Sequence, residues 1–191
     1  CSHIYSSLDQ ATRGIQMSRF RRGQTSLLIV TDVAARGIDL PVLEHVVNYD
    51  FPPQPRTFVH RVGRTARAGR NGWAWSMCTN AELPYLCDLQ LFLARPLVSS
   101  HTAVAALADG QEIGDADSLG LHDSLVLGTF PREALDLETE FISSSLTNTS
   151  SSTVHDFPAL KQVAERAQQK YEKSITKAAQ ESHRRAKEMI K

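Results

Sequence analysis

Hydrophobic positions in the first half of the chain fall into two alternating patterns. Leu27-Leu28-Ile29-Val30 is an unbroken apolar run of strand length, which predicts a parallel strand buried on both faces. His45 to Tyr49 predicts a second strand, closed by Phe51-Pro52-Pro53, and Trp73 to Cys78 a third, entered through Gly69 and Gly72. The segments between them carry helical patterns. Residues 10–22 form one, with Ile15, Met17 and Phe20 as its apolar side, Asp9 as N-cap and Gly23 as terminator. Pro55 to Ala66 forms another, with proline in its first turn, and residues 81–94 a strongly apolar third. Strands alternating with helices predict βα units and a parallel sheet. Three strands are few for such a sheet, so a first strand is expected upstream of Cys1. The absence of an initiator Met points the same way, to a chain that starts inside a longer protein.

After Pro96 the pattern weakens. Residues 97–130 are mixed, with scattered acids and Gly110, Gly114, Gly120 and Gly128, and Pro131 to Ile142 predicts a short acidic helix. Ser143 to Thr153 holds nine Ser or Thr in eleven residues, the composition of a flexible linker. From Phe157 onward the residues are good helix formers, with Leu160, Val163, Ala167 and Tyr171 at helical spacing. The division is therefore 1–96 as the α/β unit, 97–154 as an acidic extension and Ser/Thr-rich linker, and 155–191 as a basic helical tail.

Composition narrows the class. A chain of 191 residues, 41% hydrophobic and 22% charged, excludes wholesale disorder. No apolar run approaches the roughly 20 residues of a membrane-spanning helix, and no secretory signal opens the chain. Cys1, Cys78 and Cys87 form no CxxC pair, which favours reduced thiols in the cytosol or nucleus. The zero net charge conceals a segregation: residues 1–100 carry 11 Arg, no Lys and seven acids, residues 101–150 one base and nine acids, and residues 151–191 nine bases and five acids. Arginine without lysine suits phosphate, because its planar fork donates in pairs and cannot be titrated away.

Two segments concentrate chemistry. His60-Arg61-Val62-Gly63-Arg64-Thr65-Ala66-Arg67, read as helix, places Arg64 and Arg67 on one face with His60 and Arg61 a turn earlier. Guanidiniums so crowded call for an anion, although a solvated basic face accounts for the spacing equally well. Thr31-Asp32-Val33-Ala34-Ala35-Arg36-Gly37-Ile38-Asp39 follows the apolar strand, at the edge of a parallel sheet where ligands gather. There an Asp can accept from ribose hydroxyls, a Thr can donate to phosphate, and Gly37 lets backbone approach a ligand. A plain βα turn with Asp39 as helix cap is the other reading.

Together these segments resemble the second RecA-like lobe of DEAD-box RNA helicases. Phe20-Arg21-Arg22-Gly23 is similar to that family's FRxG segment, Thr31 to Asp39 to its motif V, Val46 to Pro52 to its VINYDxP stretch, and His60 to Arg67 to its motif VI. The resemblance covers residues 1–95 and implies a RecA-like parallel sheet with flanking helices, lacking its first strand here. It also implies roles. Arg64 and Arg67 match the arginine fingers on the ATP γ-phosphate, and Asp39, with Gly37 beside it, matches the acid on the ATP ribose. Thr31 and Arg36 lie in the motif that joins RNA contact to the nucleotide, Gln10 and Arg13 match a QxxR pair on RNA phosphate, and His60 and Arg61 match residues coupling the two lobes.

Two departures stand out: Tyr5-Ser6 replaces the family's His-Gly, and Ala66 stands where most members have Gly. Alanine is the better helix former, so tolerance with slower turnover is expected at 66. The GKT-type phosphate loop and the DEAD acids that handle Mg²⁺ belong to the family's first lobe and do not occur in this chain. The resemblance therefore implies an enzyme that uses ATP with Mg²⁺ only when both lobes are present, and an inactive fragment here; no metal ligands are expected in this chain. The HRVGR-x-ARAGR combination, the Pro84 to Leu93 run and Phe157-Pro158-Ala159-Leu160 resemble the nucleolar subfamily acting in large ribosomal subunit assembly. Partners so implied are RNA, in particular ribosomal RNA, pre-ribosomal proteins and the first lobe, with no membrane, in the nucleus and nucleolus. The tail cations Lys170, Lys173, Lys177, Arg184, Arg185 and Lys187 suit RNA phosphate, against the plainer reading of a solvated helix with i,i+4 pairs. A non-catalytic docking module with a vestigial lobe is the alternative function.

Overall fold

The computed structural model describes residues 1–32, 40–99, 123–129, 132–147 and 157–190. The chain forms two compact units, Cys1–Glu82 and Leu83–Lys191. The strands of both pair in parallel, as the alternation of strand and helix predicts.

In the first unit β1 (Ser2–Ile4) pairs with β2 (Leu28–Val30), and β3 (His45–Asn48) with β4 (Trp73–Ser76). β1 is absent from the sequence reading, since a three-residue strand carries too little periodicity to register. Its alternation is nonetheless clean: Ser2 and Ile4 are buried and His3 is exposed. Helix α1 (Gln10–Arg21) begins where expected, with the Asp9 carboxylate accepting from the Thr12 backbone N–H at 2.8 Å and the Thr12 hydroxyl at 2.7 Å. Those bonds hold the Asp9 carboxyl below its ordinary range, the Thr12 N–H contributing most. Gly23 follows at φ +68°, a conformation that suits only glycine without strain.

Two burial expectations fail. Met17 packs with Ile4, Leu28 and Leu40, but Ile15 is 59% exposed. Two residues apart on a helix lie about 200° apart, so Ile15 and Met17 cannot share a face. Nor is β2 buried on both sides: Ile29 is 56% exposed. Among the described residues β2 ladders only with β1, and α1 covers a single face of that pair.

The second unit contains α3 (Leu83–Leu93), β5 (Leu97–Ser99) paired with β6 (Leu125–Leu127), α4 (Arg132–Thr147), α5 (Phe157–Ser174) and α6 (Gln180–Ile190); α2, in the first unit, spans Pro55–Val62. α4 runs on through Ser143–Thr147, the start of the segment read as linker. Serine and threonine are only mildly poor helix formers, and extending an existing helix is far easier than nucleating one. The rest of that linker, like most of the acidic extension, lies outside the described residues. No helix among the described residues is long and apolar enough to cross a membrane.

The basic tail is two helices rather than one continuous run, and α6 packs against α3. Ser182 and Ala186 are buried, small enough for close helix approach, and the Cys87 thiol donates to the Met189 sulfur at 3.8 Å. Burial pushes the Cys87 thiol pKa up, against the opposing pull of Arg185. The start of α6 is capped from α3: Asp88 accepts the Ala179 N–H at 3.2 Å and the Ser182 hydroxyl at 2.5 Å. Arg185 donates to Gln90 at 2.7 Å. Asp88→Ala removes the cap and leaves a buried hydroxyl unpaired, a loss of about 2 kcal/mol. Amide exchange across residues 180–190 is expected to accelerate by about 30-fold, while exchange in α1 stays unchanged.

Candidate functional site

The site is built where β2, β3 and α2 end. The Thr31 N–H extends the β1–β2 ladder to Ile4 at 3.4 Å, and Asp32 follows as the chain leaves the strand. Helix α2 starts with Pro55 at its first turn, where a missing N–H costs nothing, and carries His60 and Arg61 in its last turn. His60 is exposed. Arg61 is the hub. Its Nε and Nη2 donate to the two carboxylate oxygens of Asp32, each at 2.7 Å, in a forked pair. Its Nη1 donates to the Asn48 side-chain oxygen at 3.2 Å and the Asp50 carbonyl at 2.8 Å. Asn48 is 1% exposed, and its amide also donates to the Ser76 hydroxyl at 3.0 Å. One guanidinium thus ties the ends of β2 and β3 to α2, and through Asn48 reaches β4.

The structure corrects the helix read over Pro55 to Ala66. α2 ends at Val62, so Arg64 and Arg67 sit on a turn, not on one helical face. Long-range bonds outcompete helical continuation there. The Leu43 N–H donates to the Arg64 carbonyl at 3.1 Å, and the Thr65 hydroxyl donates to the Leu43 carbonyl at 2.7 Å. Thr65 is buried and bridges to Leu43. The Gly63 N–H bonds the Val59 carbonyl at 2.9 Å, and a Cβ on Gly63 would stand 2.9 Å from that same oxygen. Gly72 closes the turn from the other side: a Cβ there would lie 2.6 Å from the Ala66 nitrogen and overlap the Thr65 hydroxyl.

The same turn overturns the argument for Ala66 as a helix former. Ala66 adopts φ +53° outside any helix, where glycine would sit without strain and alanine costs about 1–2 kcal/mol. Arg67 donates Nε to the Gly63 carbonyl at 2.6 Å, which orients its guanidinium and leaves the remaining N–H groups for a ligand. Neither Arg64 nor Arg67 pairs with a carboxylate among the described residues.

The other sequence candidates separate. Gln10 is exposed at the start of α1. Arg13 turns instead toward the preceding loop, donating to the carbonyls of Leu8 at 3.0 Å, Tyr5 at 3.3 Å and Ser6 at 2.6 Å. The Tyr5-Ser6 departure and Arg13 are therefore one structural unit rather than independent features. Arg36, Gly37 and Asp39 lie outside the described residues. The sequence reading gave Asp32 and Asn48 no role of their own and took Gly72 only as the entry to a strand. The signals that could have found them were a carboxylate at a strand end, one amide in an apolar strand and a glycine entering another.

The profile of the helicase conserved C-terminal domain matches residues 1–69. Over all 191 residues the chain is 90% identical to the ATP-dependent RNA helicase DBP10 of Mycosarcoma maydis, covering 17% of that protein. This chain belongs to the DEAD-box RNA helicase family. A second member, ATP-dependent RNA helicase dbp-10 of Neurospora crassa, is 45% identical over 188 residues, 98% of this chain and 18% of that protein. The chain thus spans less than one fifth of the length of these two relatives. Among solved structures, the E. coli DEAD-box protein SrmB bound to regulator of ribonuclease activity A is 39% identical, with a TM-score of 0.45 over 47% of this chain and 52% of that one.

Proposed function

We propose that this chain is the second RecA-like lobe of an ATP-dependent RNA helicase that remodels RNA or RNA–protein contacts when its two lobes close. The observation that carries this reading is the pinned turn bearing Arg64 and Arg67, which holds two guanidiniums without carboxylate partners among the described residues. Such a donor set fits a triphosphate approaching from outside. ATP supplies the phosphoryl group; in this chain Arg64 and Arg67 stabilise the charge that develops on it, and Arg61 with Asp32 fixes where their turn begins. Asp39 and Gly37 bind the nucleotide ribose side, and Mg²⁺ is held by the first lobe. Thr31, Arg36, Gln10 and the part of Arg13 not used in its loop contact the RNA backbone, reading shape and phosphate rather than base sequence.

The resemblance of the HRVGR-x-ARAGR combination, the Pro84 to Leu93 run and Phe157-Pro158-Ala159-Leu160 to the nucleolar subfamily supports a task in large ribosomal subunit assembly, with ribosomal RNA and pre-ribosomal proteins as partners and the nucleolus as location. The test is ATP turnover with and without RNA. The full-length protein is expected to hydrolyse ATP in an RNA-dependent manner, and the 191-residue chain alone to hydrolyse none. A full-length protein without RNA-dependent hydrolysis would leave a docking module as the better reading.

A further inference from the structure

The two tail helices differ in how their cations are engaged among the described residues. α6 engages two of its three cations locally, leaving Lys187: Arg185 bonds Gln90 at 2.7 Å and Arg184 pairs with Glu181 at 2.5 Å. α5 does not. Residues 161–170 are exposed throughout, and the cations Arg166, Lys170 and Lys173 have no ion-pair partner among the described residues. At 100° per residue these three fall within a sector about 60° wide. Glu165 and Glu172 lie about 110° and 130° from the middle of that sector, on the side that also carries Lys161, and Glu172 accepts there from Gln168 at 3.3 Å. None of Arg166, Lys170 and Lys173 has an acid three or four residues away, so no helical pair offsets their charge as Glu165 can offset that of Lys161. Along the axis the three cations stand at about 0, 6 and 10.5 Å, a spacing comparable to successive phosphates of one strand.

We infer that the Arg166, Lys170 and Lys173 stripe of α5 is a binding surface for the phosphate backbone of single-stranded RNA. The inference rests on the helicase reading for its choice of polyanion, and on charge complementarity for its placement. α6, held to α3 through Asp88 and Gln90, serves as the anchor that keeps α5 with the second unit. Binding is sequence-independent, since the stripe offers point charges and one fork but no stacked aromatic face.

The experiment measures affinity of the 191-residue chain for a labelled oligouridylate by fluorescence anisotropy, between 50 and 200 mM salt. One variant carries Arg166→Gln, Lys170→Gln and Lys173→Gln. A second, with the same change in net charge, carries Lys161→Gln, Lys177→Gln and Lys187→Gln. The stripe variant is expected to lose about tenfold or more in affinity at low salt and to flatten the log–log salt slope by about 2. The control variant is expected to lose less than about threefold. Circular dichroism of both checks that the exposed substitutions leave the helices formed. Equal losses in the two variants, an unchanged stripe variant, or binding of the wild-type chain to polyglutamate rather than RNA would overturn the inference. In the full-length protein the stripe variant is expected to keep its turnover at saturating RNA. RNA-dependent ATPase that survives while the binding result fails therefore separates this inference from the helicase reading.

Discussion

Arg67→Ala in the full-length protein is expected to lower RNA-stimulated ATP turnover by about 10³-fold, with the apparent KM for ATP changed far less. A group that meets charge only as it develops on the transferred phosphoryl acts on kcat, whereas one that grips the ground state acts on KM. The proposed function gives Arg67 the first role. Its Nε is committed to the Gly63 carbonyl at 2.6 Å, so the fork is held before any ligand arrives. Preorganised charge of this kind is worth on the order of 10³–10⁵ in phosphoryl transfer. Arg64→Ala is expected to fall in the same range, because its backbone is fixed by the Leu43 bond while its side chain is left without a carboxylate among the described residues. Arg67→Lys keeps the charge but loses both the fork and the Gly63 tie, and should recover only a small part of the rate. Steady-state kinetics at saturating RNA decides the matter. A variant with wild-type kcat, or one whose whole defect lies in KM, would remove the arginines from the transition state.

How legible this site was depends on how local its causes are. Asp9 as N-cap, Gly23 as terminator, the start of α2 at proline and three of the strands follow from neighbours in sequence, and they were read correctly. The end of α2 does not. Arg64-Thr65-Ala66-Arg67 contains nothing that breaks a helix, and what stops it is Leu43, more than 20 residues away, whose N–H donates to the Arg64 carbonyl and whose carbonyl accepts from the Thr65 hydroxyl. That single distant contact also places Ala66 at positive φ, so a substitution that looks favourable by helix propensity becomes a strained one. The same holds for the tail. Its composition announces helix, but the break between α5 and α6 is set by Asp88 capping α6 from 94 residues away. Exposure of β2 was misread because an apolar run states what a strand wants to bury, not how many neighbours it finds. Nothing local in the sequence announces that Arg13 spends donors on the carbonyls of Tyr5, Ser6 and Leu8.

Arg61 shows how a positioning role differs from the lobe-coupling role that the family resemblance implies. Every guanidinium nitrogen of Arg61 already donates within the first unit, to Asp32, Asn48 and Asp50. Arg61→Ala is therefore expected to act first on the unit itself. It strips the Asp32 carboxylate of a forked partner and leaves the Asn48 oxygen, on a residue 1% exposed, short of a donor. Charge-assisted hydrogen bonds contribute about 1.5–3 kcal/mol each when buried. Asp32 is 43% exposed, so solvent screening reduces that, and a total of about 3 kcal/mol is the expected loss in urea unfolding. Arg61→Lys should restore little, since one ammonium cannot span Asp32 and the Asp50 carbonyl together. Asp32→Asn should cost less than Arg61→Ala, because the amide still offers one acceptor and Arg61 keeps its bonds to Asn48 and Asp50. A double-mutant cycle between positions 32 and 61 is expected to give a coupling of about 1–2 kcal/mol that shrinks toward 1 M salt. Zero coupling would mean the fork stabilises nothing. Full stability of Arg61→Ala with ATPase lost would return the residue to the interface between lobes.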